Sequence, residues 1–182
     1  ELKTLSEVQK ISGTAGNFTV ELLQHPRYVD MDKCIACGEC AAKCPKKVTD
    51  TFNAGLATRK AIYVEYPQAV PLKYAIDAGS CIYLKNGKCG FCAKVCPTKA
   101  INFEDKPVAV TLQVGSVVLA PGFSTFDPQK LDTYQYSQYK NVITSLEMER
   151  LLSATGPFNG HPVRPSDHPE PNKILLLPRI GS

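Results

Sequence analysis

Nothing in these 182 residues reads G-x-G-x-x-G and there is no Walker-type loop, so no segment can cradle a pyrophosphate by itself. No charged-then-apolar segment opens the sequence, and no apolar run is long enough to cross a bilayer. The expectation is a cytoplasmic chain without a membrane span. A net charge of +4, with no continuous basic stripe interleaved with aromatics, argues against a nucleic-acid partner. No nucleophile, general base or substrate pocket stands out, so no catalytic residue is assigned. Cysteine is absent from residues 1–33 and 97–182.

All eight cysteines lie between those limits in two blocks: Cys34, Cys37, Cys40, Cys44-Pro45 and Cys81, Cys89, Cys92, Cys96-Pro97. The first reads C-x2-C-x2-C-x3-C-P, the spacing that wraps three thiolates round one iron-sulfur cube and sends the fourth to a neighbouring cube. Three cysteines on a tight loop reach three corners. The following three residues and proline turn the backbone away before it closes on the fourth. Two 4Fe-4S clusters are therefore expected.

Disulfides and zinc are the competing uses of eight cysteines. Disulfide frameworks suit short secreted chains of irregular loops, whereas this chain has 43% hydrophobic residues and can bury a core. Zinc prefers two well-separated C-x2-C knuckles per metal, and each block here supplies four cysteines with a proline after the last.

The second block departs from the first in one place: Ile82 to Lys88 separate Cys81 from Cys89. Asn86-Gly87 within that insertion is a tight-turn pair, expected to double the chain back and set the two cysteines side by side. If ligation crosses in the two-cluster manner, one cube takes Cys34, Cys37, Cys40 and Cys96, and the other takes Cys81, Cys89, Cys92 and Cys44. Crossing would tie both blocks into one folding unit. The backbone amides round Gly38 and Gly90 are placed to donate to cluster sulfurs. Between Met31 and Pro107, twelve Lys and Arg face seven Asp and Glu. About two negative charges on each oxidised cube with its four thiolates would nearly cancel that surplus.

The flanks differ in character. Residues 1–30 read as a hairpin, with Phe18 to Leu23 following the turn-rich Ser12 to Asn17. Residues 108–182 read as strand, helix, Pro-rich loop and strand. Val117 to Ala120 is a continuous apolar run of the kind buried in a parallel sheet, and Lys173 to Leu177 reads as a second buried strand. Thr144-Ser145-Leu146-Glu147 matches a capping box, with Met148, Leu151, Leu152 and Thr155 on one helical face. Two such strands and one helix cannot cover both faces of a sheet, so the chain is expected to be a piece of a larger α/β domain.

Longer strings carry a family resemblance. Arg27-Tyr28-Val29-Asp30, Phe52-Asn53, Gly55-Leu56, Arg59 to Tyr63, Pro67 to Pro71, Lys73-Tyr74, Cys81 to Lys85, Val114 to Phe123 and Asn141 to Glu147 together resemble the A subunits of CoB-CoM heterodisulfide reductase. The resemblance covers nearly the whole chain. It implies an α+β ferredoxin-like dicluster domain at 31–107, flanked at 1–30 and 108–182 by partial α/β segments of a flavoprotein domain. It also implies electron relay between FAD in the intact parent and partners: other heterodisulfide reductase-like subunits, and a donor such as ferredoxin or hydrogenase. Ala120, Pro121 and Gly122 would then lie near the flavin. Two departures stand out. The family's Ala-Thr-Gly turn is Ala120-Pro121-Gly122 here, which removes one backbone donor. Its Gln-Cys-Val-Gly-Ser is Pro178-Arg179-Ile180-Gly181-Ser182. The competing classes are a self-contained dicluster ferredoxin and a zinc-binding interaction module.

Reconstituted under argon, the chain is expected to bind about eight iron and eight sulfide per molecule, because two cubes use all eight thiolates. A plateau near four iron in a colorimetric assay would mean that one block forms no cube.

Overall fold

The structure, a computed structural model, describes residues 1–177. In chain order its elements are β1 (Ser6–Thr14), β2 (Asn17–Gln24), α1 (Glu39–Ala42), β3 (Lys47–Thr49), β4 (Thr58–Lys60), β5 (Ile62–Tyr63), β6 (Ala75–Ile76), α2 (Ile82–Asn86), α3 (Phe91–Val95), β7 (Val108–Val114) and α4 (Ser145–Leu152). They fall into two units: residues 1–46, 60–64 and 68–122 form one, and residues 47–59, 65–67 and 123 onward form the other.

In the first unit β1, β2 and β7 form an antiparallel sheet in that order. The hairpin expected in residues 1–30 is present, with Thr14 opposite Asn17 and Ser6 opposite Gln24. Gly13 sits at φ 109°, and a Cβ there would fall 2.2 Å from the Asn17 carbonyl oxygen, so the turn requires glycine. Phe18, Val20 and Leu22 of β2 face Val114, Leu112 and Val110 of β7. These cross-strand apolar pairs set the register.

Between those strands the chain is laced round a small core. Val29 bridges Ile101, Asp30 N–H donates to the Ala100 carbonyl at 2.7 Å, and Asn102 N–H donates to the Tyr28 carbonyl at 3.0 Å. The segment entering the first cysteine block is thus paired with the segment leaving the second. The Asp105 carboxylate accepts from Arg27 and Tyr28 N–H at 3.0 and 3.1 Å, fixing the same junction. Short β5 and β6 pair Ile62 with Ile76 and Tyr63 with Ala75. Val29, Ile62, Ile76 and Ala100 pack with Cys34, Cys40 and Cys81 as the buried cluster. So little apolar surface makes a thin core, of the kind that relies on bound metal for stability.

The second unit is built on α4. Thr144 Oγ1 accepts from Glu147 N–H, and the Glu147 carboxylate accepts from Thr144 N–H at 2.6 Å, so the expected capping box is present. Arg150 donates twice to Asn53 Oδ1, at 3.0 and 3.1 Å, and lies over the Phe52 ring. The buried Asn53 in turn donates to buried Asp50 at 2.7 Å. Leu151 is buried, but the helix ends at Leu152, which is half exposed, and Thr155 lies beyond it.

Three expectations are corrected. Neither Val117 to Ala120 nor Lys173 to Leu177 forms a strand; Val118 is 88% exposed, Leu119 78%, Leu175 82% and Leu176 75%. A parallel strand needs a partner whose edge groups are free. After Gly115, whose carbonyl accepts from Gly16 N–H, these segments meet no strand among the described residues. Ile82 to Asn86 form the helix α2, with Gly87 as its left-handed C-cap at φ 70°, so Asn86-Gly87 closes a helix and not a hairpin. Pro178 to Ser182 lie outside the described residues.

Thr144→Ala removes one acceptor and its reciprocal partner at the start of α4, at about 1 kcal/mol. Native-state hydrogen exchange should show amide protection in α4 lowered about fivefold, with Thr144→Ser close to the parent.

Candidate metal centre

Each cysteine block turns on a glycine. Gly38 (φ 85°) and Gly90 (φ 105°) are left-handed residues at the N-cap positions of α1 and α3, inside Cys37-Gly38-Glu39-Cys40 and Cys89-Gly90-Phe91-Cys92. The left-handed cap reverses the chain so that the cysteines on either side of it turn toward one cavity. Ala36, at φ 56° between Cys34 and Cys37, is a further left-handed position in the first loop, one that a non-glycine residue holds only under constraint. α1 and α3 pack against each other, so the two loops lie back to back.

Two cavities result. One is lined by Cys34, Cys37, Cys40 and Cys96, with Val29, Tyr74, Ala100 and Ile101 among its walls. The other is lined by Cys81, Cys89, Cys92 and Cys44, with Ile62, Ile76, Tyr83 and Phe91. Each gathers three cysteines of one block and the fourth of the other. The α2 insertion carries Tyr83 onto the second cavity wall, stacked on Phe103 at 3.8 Å, and leaves Cys81 and Cys89 on the same rim. A tyrosine also lies against each capping glycine. Tyr74 Oη is 3.5 Å from where a Gly38 Cβ would be, and the Tyr83 ring is 3.6 Å from that of Gly90.

The environment of the thiols follows from burial. Burial pushes Cys40 up to about 12, with the Ala41 N–H pulling it back and Cys34, Cys37 and Cys92 pushing it further. Burial likewise pushes Cys92 up to about 11, opposed by the Ala93 N–H and reinforced by Cys81, Cys44 and Cys89. At Cys96 burial also pushes upward, but the Ala100 N–H at 3.2 Å, the Thr98 hydroxyl, and the Thr98 and Lys99 amides together bring it below the ordinary thiol value. Cys40 and Cys92 are therefore thiols at neutral pH without metal, and metal must displace their protons. Tyr74 is pushed up by burial and then by Cys40, Cys37 and Cys34.

The donor set fits two iron-sulfur clusters. Eight thiols in two apolar-walled cavities supply four soft ligands each. Among the described residues no three His, Cys, Asp or Glu side chains converge closely enough to hold a single metal ion. Ala120, Pro121 and Gly122 line neither of these two cavities: they are exposed, and a Cβ at Gly122 would meet nothing within 4 Å. Two residues that sequence reasoning missed point at the cysteine loops. Lys73 Nζ donates to the Cys34 carbonyl at 2.6 Å, and Lys60 Nζ to the Cys44 carbonyl at 2.6 Å. Long-range lysine contacts leave no spacing signal.

Residues 33–100 match the 4Fe-4S dicluster domain family, which holds two 4Fe-4S clusters. The chain is 45% identical over all 182 residues to the iron-sulfur A subunit of CoB-CoM heterodisulfide reductase from Methanocaldococcus jannaschii. It is 47% identical over the same length to the A subunit of the H2/formate:CoB-CoM heterodisulfide,ferredoxin reductase of Methanococcus maripaludis. Over 166 residues, 91% of this chain and 21% of the relative, it is 44% identical to the A subunit of the ferredoxin:CoB-CoM heterodisulfide reductase of Methanosarcina acetivorans. The chain spans 27% of the length of each of the first two relatives.

Replacing Cys96 with Ala should abolish the cluster of Cys34, Cys37 and Cys40 and leave the other, and Cys44→Ala should do the converse. Each variant would bind about four iron. Mössbauer or electron paramagnetic resonance spectra in which each variant loses the cluster of its own block would show that ligation is not crossed.

Proposed function

We propose that this chain, which over its whole length resembles one segment of the heterodisulfide reductase A subunits, relays single electrons as the ferredoxin module of such a flavin-dependent oxidoreductase. The supporting observation is the pair of four-cysteine cavities, each completed by the other block's last cysteine. In this reading Cys34, Cys37, Cys40 and Cys96 hold one cluster, and Cys81, Cys89, Cys92 and Cys44 hold the other. When bound, each cluster accepts and releases one electron. The residues of the chain fix the thiols, wall the cavities with Tyr74, Tyr83 and Ile62, and supply amides at Ala41, Ala93 and Ala100. Among the described residues no helix is long and apolar enough to cross a membrane; a cytoplasmic site of action is part of the proposal.

The flanks are read as segments of the parent's flavoprotein domain. Val118, Leu119, Leu175 and Leu176 are apolar and exposed, as segments of a larger domain lacking their packing partner would be. Residues 114–123, with Ala120, Pro121 and Gly122, would then lie near FAD in the intact protein. The electron would leave toward other reductase-like subunits or arrive from a donor such as ferredoxin or hydrogenase.

Dithionite should reduce the loaded chain by two electrons and produce paramagnetic signals, whereas ascorbate should not, because low-potential cubes lie near the bottom of the range for such clusters. Gel filtration of the chain incubated with FAD should leave the protein free of flavin. Full reduction by ascorbate would overturn the low-potential relay, and flavin retained at unit stoichiometry would overturn the reading of the flanks.

A further inference from the structure

The stretch between the cysteine blocks, residues 45–80, has no ligand in either cavity, yet it reaches both cysteine loops. β5 and β6 pair antiparallel there, Ile62 opposite Ile76 and Tyr63 opposite Ala75, and Ile62 and Ile76 help wall the second cavity. Lys60 stands two residues before β5 and Lys73 two residues before β6. Lys60 Nζ donates at 2.6 Å to the carbonyl of Cys44, whose thiol lines the second cavity. Lys73 Nζ donates at 2.6 Å to the carbonyl of Cys34, whose thiol lines the first. A lysine just before each strand of this ladder thus holds the backbone of one cysteine from each four-cysteine set, beside Lys46, which lines the second cavity itself.

The backbone around both lysines is held. Arg27 Nη1 donates to the Lys73 and Tyr74 carbonyls at 3.3 and 3.4 Å, and Ala61 N–H donates to the Lys46 carbonyl at 3.1 Å. Both lysines are partly buried. An ammonium held this way is screened by salt far less than one on a free surface. Adding an electron to a cluster adds negative charge, and a fixed cation nearby stabilises the reduced form.

We propose that Lys60 and Lys73 are a pair of positioning residues, each raising the reduction potential of one cluster: Lys73 for that held by Cys34, Cys37, Cys40 and Cys96, Lys60 for that held by Cys81, Cys89, Cys92 and Cys44. This assignment rests on the dicluster reading above. It gives the connecting segment a redox role that cysteine spacing does not show.

The test is a potentiometric titration followed by electron paramagnetic resonance, with iron and sulfide counted for every protein. Lys73→Gln keeps a hydrogen-bond donor and removes the charge; it should lower the potential of the first cluster alone. Lys60→Gln should lower that of the second alone. Lys60→Arg and Lys73→Arg, which keep the charge, should stay close to the parent. Glutamine variants that hold eight iron with both potentials unchanged would overturn the proposal. So would single variants that shift both clusters equally. If a glutamine variant does not load, its arginine counterpart decides: eight iron at the parental potential supports the charge role, and failure to load reduces the lysine to a shape requirement and overturns it. A parent chain that binds no pair of clusters would instead sink the dicluster reading.

Discussion

The fourth cysteine of each block lines the cavity of the other block. Cys44 stands on the cavity of Cys81, Cys89 and Cys92, and Cys96 on that of Cys34, Cys37 and Cys40. Much of the first unit follows from that exchange. Because the two loops share cavities, α1 and α3 must pack back to back, and the segments entering and leaving the pair must meet, as Val29 and Ile101 do. The buried set is small, with three cysteines among its seven members. A core of that size leaves the metal to supply much of the cohesion.

The same economy explains where polar groups go. The Asp105 carboxylate caps two amides at the junction, Arg27 directs its guanidinium to the carbonyls of Lys73 and Tyr74, and two lysines satisfy carbonyls of cysteine loops. Cations outnumber acids in this region, and two of them are aimed inward at the loops that hold thiols. A charge surplus that reads as surface composition is thus partly a built feature of the site.

What was legible in the sequence was local. The cysteine spacing, the glycines within Cys-Gly-x-Cys, the hairpin at Phe18 and the capping box at Thr144 each depend on residues a few positions apart. Periodicity misled where burial depends on a distant partner. Val117 to Ala120 and Lys173 to Leu177 have the composition of core strands, but without a neighbouring edge they run exposed. Asn86-Gly87 has the composition of a hairpin turn and instead ends α2, with Gly87 as its left-handed C-cap. The lysine contacts span 16 and 39 residues and could be read only from the fold.

The crossed assembly is the central claim, and an anomalous difference map at the iron edge from anaerobically grown crystals tests it most directly. The account predicts two cuboidal iron peaks, one bonded to Sγ of Cys34, Cys37, Cys40 and Cys96, the other to Sγ of Cys81, Cys89, Cys92 and Cys44. A cube bonded to Cys34, Cys37, Cys40 and Cys44 together, or a single four-coordinate ion in either cavity, would contradict it.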